Sequence, residues 1–133
     1  MLAPVSVAGA PLSLERLFGW LFAPVVWLYG IPWQETATAG SLLGQKTALN
    51  EFVAYLKLAA LPPGALDPRA QMIMVYAMCG FANFGSVGIL IAGVSGLAPE
   101  RRDEIVPLAM RALLSGTMAS SLTGCIIGLL PFV

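Results

Sequence analysis

The 133-residue sequence contains no histidine, and charged residues make up only 11% of it. Without histidine there is no imidazole metal ligand, no histidine general base and no Ser-His-Asp triad. The shortage of charge matters as much, because soluble domains carry about 25% charged residues to cover their surface. Seven basic and seven acidic side chains cancel to a formal net charge of zero, so the footprint of a nucleic-acid binder is absent. The two cysteines, Cys79 and Cys125, form no CxxC pair and stand far apart in apolar runs. That placement suits two buried reduced thiols better than a disulfide framework. No Walker loop, no paired catalytic carboxylates and no metal-ligand spacing occur, so no catalytic residues are expected. Residues 1–11 have no positive region ahead of their mildly apolar stretch and do not read as a signal peptide.

What the sequence does have is apolar surface, with 58% hydrophobic residues and a mean hydropathy of +0.83. In water such a surface would leave large bare patches, which soluble monomers avoid. A bilayer solvates them instead, so the expectation is an all-α membrane protein with lipid as its first partner. With about 20 residues needed per crossing, the chain has room for a handful of them.

Along the chain, residues 17–33 are apolar but contain Pro24, Gly30 and Pro32, with Trp20, Trp27 and Trp33 spread among them. Tryptophan favours the membrane interface, so this stretch reads as an interfacial or steeply tilted helix, with Ser13 as a candidate N-cap. Between residues 34 and 61, Glu35, Lys46, Glu51 and Lys57 keep any uncharged run below spanning length. Two short helices meeting near Thr47-Ala48-Leu49-Asn50 would form a re-entrant hairpin, tolerated in a membrane only where protein or a water cavity surrounds it. A pair of amphipathic surface helices fits the periodicity equally well.

Leu61-Pro62-Pro63-Gly64 and Asp67-Pro68 mark a loop. No charge then appears between Arg69 and Glu100, a run ample for a crossing. Its middle reads Cys79-Gly80-Phe81-Ala82-Asn83-Phe84-Gly85-Ser86-Val87-Gly88, and three glycines there weaken a helix. A discontinuous helix follows, of the kind that presents free backbone groups near the bilayer midplane in transporters. After the charged loop Glu100-Arg101-Arg102-Asp103-Glu104, residues 112–133 form a conventional crossing with small residues suited to close helix packing. Arg101, Arg102 and Arg111 put that loop on the cytoplasmic side.

Glu51 is the most informative single residue, since a carboxylate at membrane depth is a functional-site hypothesis by default. The plainer account is a solvated glutamate at a surface helix start, favoured by the helix dipole. Asn83 and Ser86 could exchange hydrogen bonds with substrate hydroxyls, and Phe81 and Phe84 could supply an aromatic face. Equally, Asn83 could do no more than cap a helix break while the phenylalanines face lipid.

Several motifs then point one way. Ile31-Pro32-Trp33-Gln34-Glu35, Gly44-Gln45-Lys46, Leu49-Asn50-Glu51-Phe52-Val53-Ala54-Tyr55, Cys79-Gly80-Phe81-Ala82-Asn83-Phe84-Gly85-Ser86 and Leu97-Ala98-Pro99-Glu100-Arg101-Arg102 resemble, in order, the C-terminal region of concentrative nucleoside transporters. The resemblance implies one inverted-repeat unit of a transporter across residues 1–133. Its parts are an interfacial helix at 13–30, a re-entrant helical hairpin at 32–61, a discontinuous transmembrane helix at 69–97 and a final transmembrane helix at 102–130. It implies nucleoside transport by sodium or proton symport, a homotrimer and a multi-pass place in the bacterial inner membrane. By the same resemblance Glu51, Asn83 and Ser86 contact the ribose hydroxyls and Phe81 lines the pocket. No metal or cofactor site is expected here; the coupling-ion site belongs to the first inverted unit, which these residues do not include. The chain is therefore expected to be the ribose-contacting C-terminal part, a fragment or a split half partnered by an N-terminal half. The alternative is a small membrane interaction or assembly protein that keeps the fold without transporting.

Overall fold

Ser13 accepts the amide of Arg16 through its hydroxyl and so begins α1 (Leu14–Leu28) in the computed structural model, which describes residues 6–7, 10–11 and 13–131. A minimal antiparallel pair, β1 (Ser6–Val7) with β2 (Ala10–Pro11), precedes it. Residues 1–11, which do not read as a signal peptide, lie largely outside the described residues. Among those described the architecture is helical, with six α-helices and two short 3₁₀ turns.

Pro24 does not break α1, which runs continuously from Leu14 to Leu28. Pro24 sits on an exposed side of α1, while Gly19, Ala23 and Val26 form the buried stripe. A turn at Gly30, whose φ of 92° suits only a residue without Cβ, redirects the chain. A 3₁₀ turn at Trp33–Glu35 then leads into α2 (Thr36–Ala48), and α3 (Glu51–Ala59) follows after two residues. α1 and α2 lie close because glycine faces glycine. A Cβ on Gly19 would stand 2.8 Å from the Ala37 carbonyl oxygen, and one on Gly40 would stand 2.7 Å from the Gly19 carbonyl oxygen.

The burial of α2 departs from the surface-helix reading for that helix. Thr36, Ala39, Gly40, Leu42, Leu43, Gly44, Gln45 and Lys46 are all buried, against α1, α3 and α4. An amphipathic surface helix buries one stripe; α2 buries most of its circumference. It is an interior element, and it carries the one fully buried lysine among the described residues.

Asp67 starts α4 (Pro68–Met78) by accepting the Ala70 amide at 2.5 Å, with proline at the first helical position. The discontinuity expected at 79–88 is shorter than that. α4 ends at Met78 and α5 (Phe84–Leu97) begins after five intervening residues, so Gly85 and Gly88 lie inside α5. Cap chemistry at Asn83 outweighs the weak helix propensity of those glycines. The thiols also depart from expectation: both cysteines are free, but Cys79 is exposed because the helix ends just before it, and Cys125 is only half-buried.

A 3₁₀ turn at Pro99–Arg101 leads into α6 (Arg102–Leu129), whose 28 residues extend about 42 Å. With that turn it forms the one helix among the described residues long and apolar enough to cross a bilayer; its most apolar stretch is 17% buried. α4 packs along its C-terminal half through Gly124 and Gly128, where a Cβ on Gly124 would stand 2.8 Å from Ala77 Cβ. α5 packs on its N-terminal half through Val87, Ala109 and Leu113. The main core gathers Val26, Ile31, Leu42, Leu43, Ile73, Met74 and Met78 from α1, α2 and α4 and the turns between them.

Arg69 ties the ends together. Its guanidinium donates to the Gly30 carbonyl at 3.0 Å and to the Gly128 carbonyl, so one side chain bridges the turn after α1 and the last turn of α6. Helix C-termini leave carbonyls without amide partners, and an arginine there meets both that need and the dipole.

Candidate functional site

Two chain breaks face one another, and the same device builds both. At the turn between α2 and α3, Leu49 leaves helical geometry and Asn50 takes an extended backbone (φ −165°). The Asn50 carboxamide oxygen accepts the Val53 amide at 2.9 Å. At the break between α4 and α5, Asn83 takes φ −147° and its carboxamide oxygen accepts the Ser86 amide at 2.8 Å. Asparagine is among the strongest N-cap residues because its short side chain reaches the orphan amide three positions on. The tight turn before Asn83 is closed by its own amide, which donates to the Phe81 carbonyl at 2.9 Å.

Glu51 is the first residue of α3, where the helix dipole favours a carboxylate. It is half-buried and not merely a solvated helix start, because Asn83 Nδ2 donates to its Oε2 at 3.3 Å. Both plain readings of these residues are therefore true and incomplete. Asn83 does cap a break and Glu51 does begin a helix; the free half of the Asn83 amide then joins one break to the other. Asn83 is 1% exposed, so its two bonds are made away from water.

Phe81 and Ser86 belong together in a different way. They line an open cleft of about 350 Å³ between the start of α5 and the middle of α6, with Ala82, Leu90, Ala112 and Gly116 among its other walls. Phe81 is 78% exposed at its mouth and Ser86 is half-buried. Glu51 and Asn83 do not line it. The four candidates thus form two pairs, a hydrogen-bonded polar pair and an aromatic–hydroxyl pair, linked through Asn83 and Ser86 on one helix turn. Phe84 is exposed at the start of α5 and does not line the cleft. No cluster of three or more Cys, Asp or Glu side chains that could hold a metal ion occurs among the described residues.

Two supports of this site were not legible as such in the sequence. Lys46 Nζ donates to the Ala82 carbonyl at 3.0 Å, reaching from α2 to the residue before Asn83. Tyr55 donates from its hydroxyl to the Val75 carbonyl at 2.7 Å, near the end of α4 where carbonyls lose their helical partners. The sequence did hold one signal for Lys46, a lone lysine directly after Leu42-Leu43-Gly44-Gln45. Only packing shows that all of those neighbours are interior.

A family profile described as "Na+ dependent nucleoside transporter C-terminus" matches residues 2–128. Among curated relatives, the putative nucleoside permease NupX of Escherichia coli (strain K12) is 46% identical over 123 residues, covering 88% of this chain and 30% of the relative. The sodium/nucleoside cotransporter 1 of Rattus norvegicus is 35% identical over 133 residues, covering 90% of this chain and 20% of the relative. Among solved structures, CNTnw in an inward-facing substrate-bound state superposes with a TM-score of 0.81 at 39% identity, over 89% of this chain and 29% of that one. The chain therefore spans less than a third of the length of these relatives.

Proposed function

The chain belongs to the concentrative nucleoside transporter family, to the C-terminal region of its members, and we propose that it forms the ribose-contacting part of a sodium-coupled nucleoside site. The family is one of membrane transporters, not enzymes. The observation that carries the proposal is the 3.3 Å bond between Asn83 and Glu51, which brings an acceptor-only carboxylate and an amide to one point where two broken elements meet. A carboxylate accepts from two hydroxyls and an amide both donates and accepts, so this pair is suited to a vicinal diol that inserts between them. A ligand lacking one hydroxyl would leave a buried partner unsatisfied, which gives the site a basis for selecting ribose. Ser86 would add a hydroxyl contact and Phe81 a face for the sugar or base.

In this reading α1 lies at the membrane interface with Trp20, Trp27 and Trp33 exposed, α2 and α3 form a re-entrant hairpin, and α4 with α5 is one broken crossing. The exposed Ile89, Leu97, Leu114 and Leu129 face lipid or further parts of a transporter, a homotrimer in the bacterial inner membrane. Regions that the relatives carry beyond this one supply the base contacts and the coupling-ion site. Uptake of labelled uridine into proteoliposomes under a sodium gradient tests the proposal, with the chain alone and with a polypeptide supplying the remaining length found in relatives. The expected result is no uptake by the chain alone, and uptake in the pair that Glu51→Ala reduces at least tenfold. Uptake in the pair that Glu51→Ala leaves unchanged refutes the ribose-contact assignment.

A further inference from the structure

A further residue is implicated in the geometry of the polar pair without touching a ligand. We propose that Lys46 is the positioning residue of the Glu51–Asn83 pair, a tethered cation that locks the α2–α3 turn to the α4–α5 break. The proposal rests on the reading that this pair contacts the nucleoside.

The burial of Lys46 requires a reason. Its relative exposure is 0%, and lysine is almost never fully buried unless its ammonium is paired. Leu42, Leu43, Gly44 and Gln45 immediately precede it and are also buried, so no water-filled surface receives its head group. The partner it finds is the Ala82 carbonyl at 3.0 Å. That carbonyl stands in the break ahead of α5, outside the regular helical ladder. The nearby anion is Glu51, five positions further on past the turn, whose charge acts on the ammonium. Lys46 also lies in the last turn of α2, where the helix dipole favours a cation. One ammonium therefore stands at a helix C-terminus and bonds a break carbonyl, with the charge of Glu51 nearby.

The neighbouring contacts explain why such a lock would matter. A Cβ on Gly85 would stand 3.3 Å from both the Leu49 carbonyl oxygen and Asn83 Oδ1. The hairpin turn and the first turn of α5 thus approach each other closely just beside the polar pair. The Asn83–Glu51 bond is 3.3 Å long and would be lost with a further separation of about 0.5 Å. Lys46 is the side chain that bonds across this junction from the hairpin's first helix, and its neighbour on the far side, Ala82, is joined directly to Asn83. It lines neither the open cleft nor any exposed surface, so it acts through the pair and not on a ligand.

The test uses the chain in lipid nanodiscs, with two readouts on Lys46→Met and Lys46→Arg. Methionine keeps the apolar stem and removes the charge and the donors; arginine keeps both. The first readout is amide hydrogen exchange resolved to segments. Lys46→Met is expected to lower protection at least tenfold at residues 51–54 and 83–87, with α4 and α6 where they pack through Gly124 left unchanged, and Lys46→Arg is expected to recover most of it. The second is equilibrium binding of labelled uridine by the chain paired with a polypeptide supplying the remaining length found in relatives, expected to weaken at least tenfold in Lys46→Met. Unchanged protection at both caps in Lys46→Met overturns the proposal, whatever binding does. Loss of protection throughout the chain in both variants makes Lys46 a general fold residue and also overturns it. A wild-type pair that binds no uridine counts against the nucleoside reading, while the exchange readout still decides the role of Lys46.

Discussion

Asn83 offers the sharpest test of how the two chain breaks are joined, because its amide makes two separable bonds. Asn83→Ala removes both: the oxygen that caps α5 at 2.8 Å from the Ser86 amide and the nitrogen that donates to Glu51 at 3.3 Å. Loss of an N-cap costs about 1 kcal/mol. Loss of a hydrogen bond to a charged partner costs about 1.5–3 kcal/mol. The sum, about 2.5–4 kcal/mol, is a large fraction of the roughly 5–15 kcal/mol that holds a domain folded. Asn83→Ser keeps a capping oxygen and loses only the bond to Glu51, so its expected cost is the smaller figure of about 1.5–3 kcal/mol. Unfolding of the purified chain in mixed micelles, titrated with a denaturing detergent, measures both differences. Glu51→Gln in the Asn83→Ser background closes a double-mutant cycle, and coupling between the two positions should exceed about 0.5 kcal/mol. An Asn83→Ala chain within about 0.5 kcal/mol of the wild type would refute the reasoning, since no buried amide with two bonds can be removed so cheaply. Equal losses for serine and alanine would leave the bond to Glu51 in place and remove the cap from the account.

Other perturbations probe the scaffold around the site. Gly40→Ala places a methyl 2.7 Å from the Gly19 carbonyl oxygen and 3.0 Å from the Ala23 amide nitrogen; backbone must move, and the expected loss is about 1–3 kcal/mol in the same unfolding titration. Arg69→Gln gives up the joint hold on the Gly30 and Gly128 carbonyls, and increased amide exchange at residues 126–130, with α2 unchanged, is the expected outcome. Glu15 sits in an ion pair with Lys57 at 3.5 Å, both side chains about half exposed. Its carboxyl is held below the ordinary glutamate value by its own backbone amide first, against the opposing effect of burial, with the Ser13 hydroxyl and Lys57 adding to the lowering. A depressed folded-state value means the contribution is present above the unfolded pKa and is lost as pH falls through the folded one. Screening keeps it small, so Glu15→Gln should shift stability at neutral pH by less than about 1 kcal/mol, and the difference should vanish in acid.

The helical and apolar character of the chain and the positions of its polar residues were written in the sequence, because each depends on composition or short-range pattern. A chain with 11% charged residues cannot cover itself in water. Asn50 and Asn83 act on amides three residues away, and the Asp67-Pro68 start of α4 is likewise a local signal. The motifs around Glu51 and Asn83 also carried the family, since they lie in order along the chain. What local pattern could not resolve was the state of α2, whose periodicity fitted a surface helix and an interior one equally. That depended on Gly19 and Gly40 letting α1 close over it and on α3 and α4 covering other sides. Nor could local pattern fix the length of the α4–α5 break, where glycine propensity and the Asn83 cap point to different boundaries and the cap prevails.

Pairing across the fold was decided by tertiary structure alone. Glu51 and Asn83 are 32 positions apart, and Lys46 and Ala82 are 36 apart. A hydrogen bond is made within about 3 Å, and nothing in either local stretch encodes where the other will be. The sequence by itself placed polar residues in an apolar chain and named the class of protein to which they belong. Packing of the α2–α3 turn against the α4–α5 break decided that one carboxylate meets one amide, and that a buried lysine stands behind them.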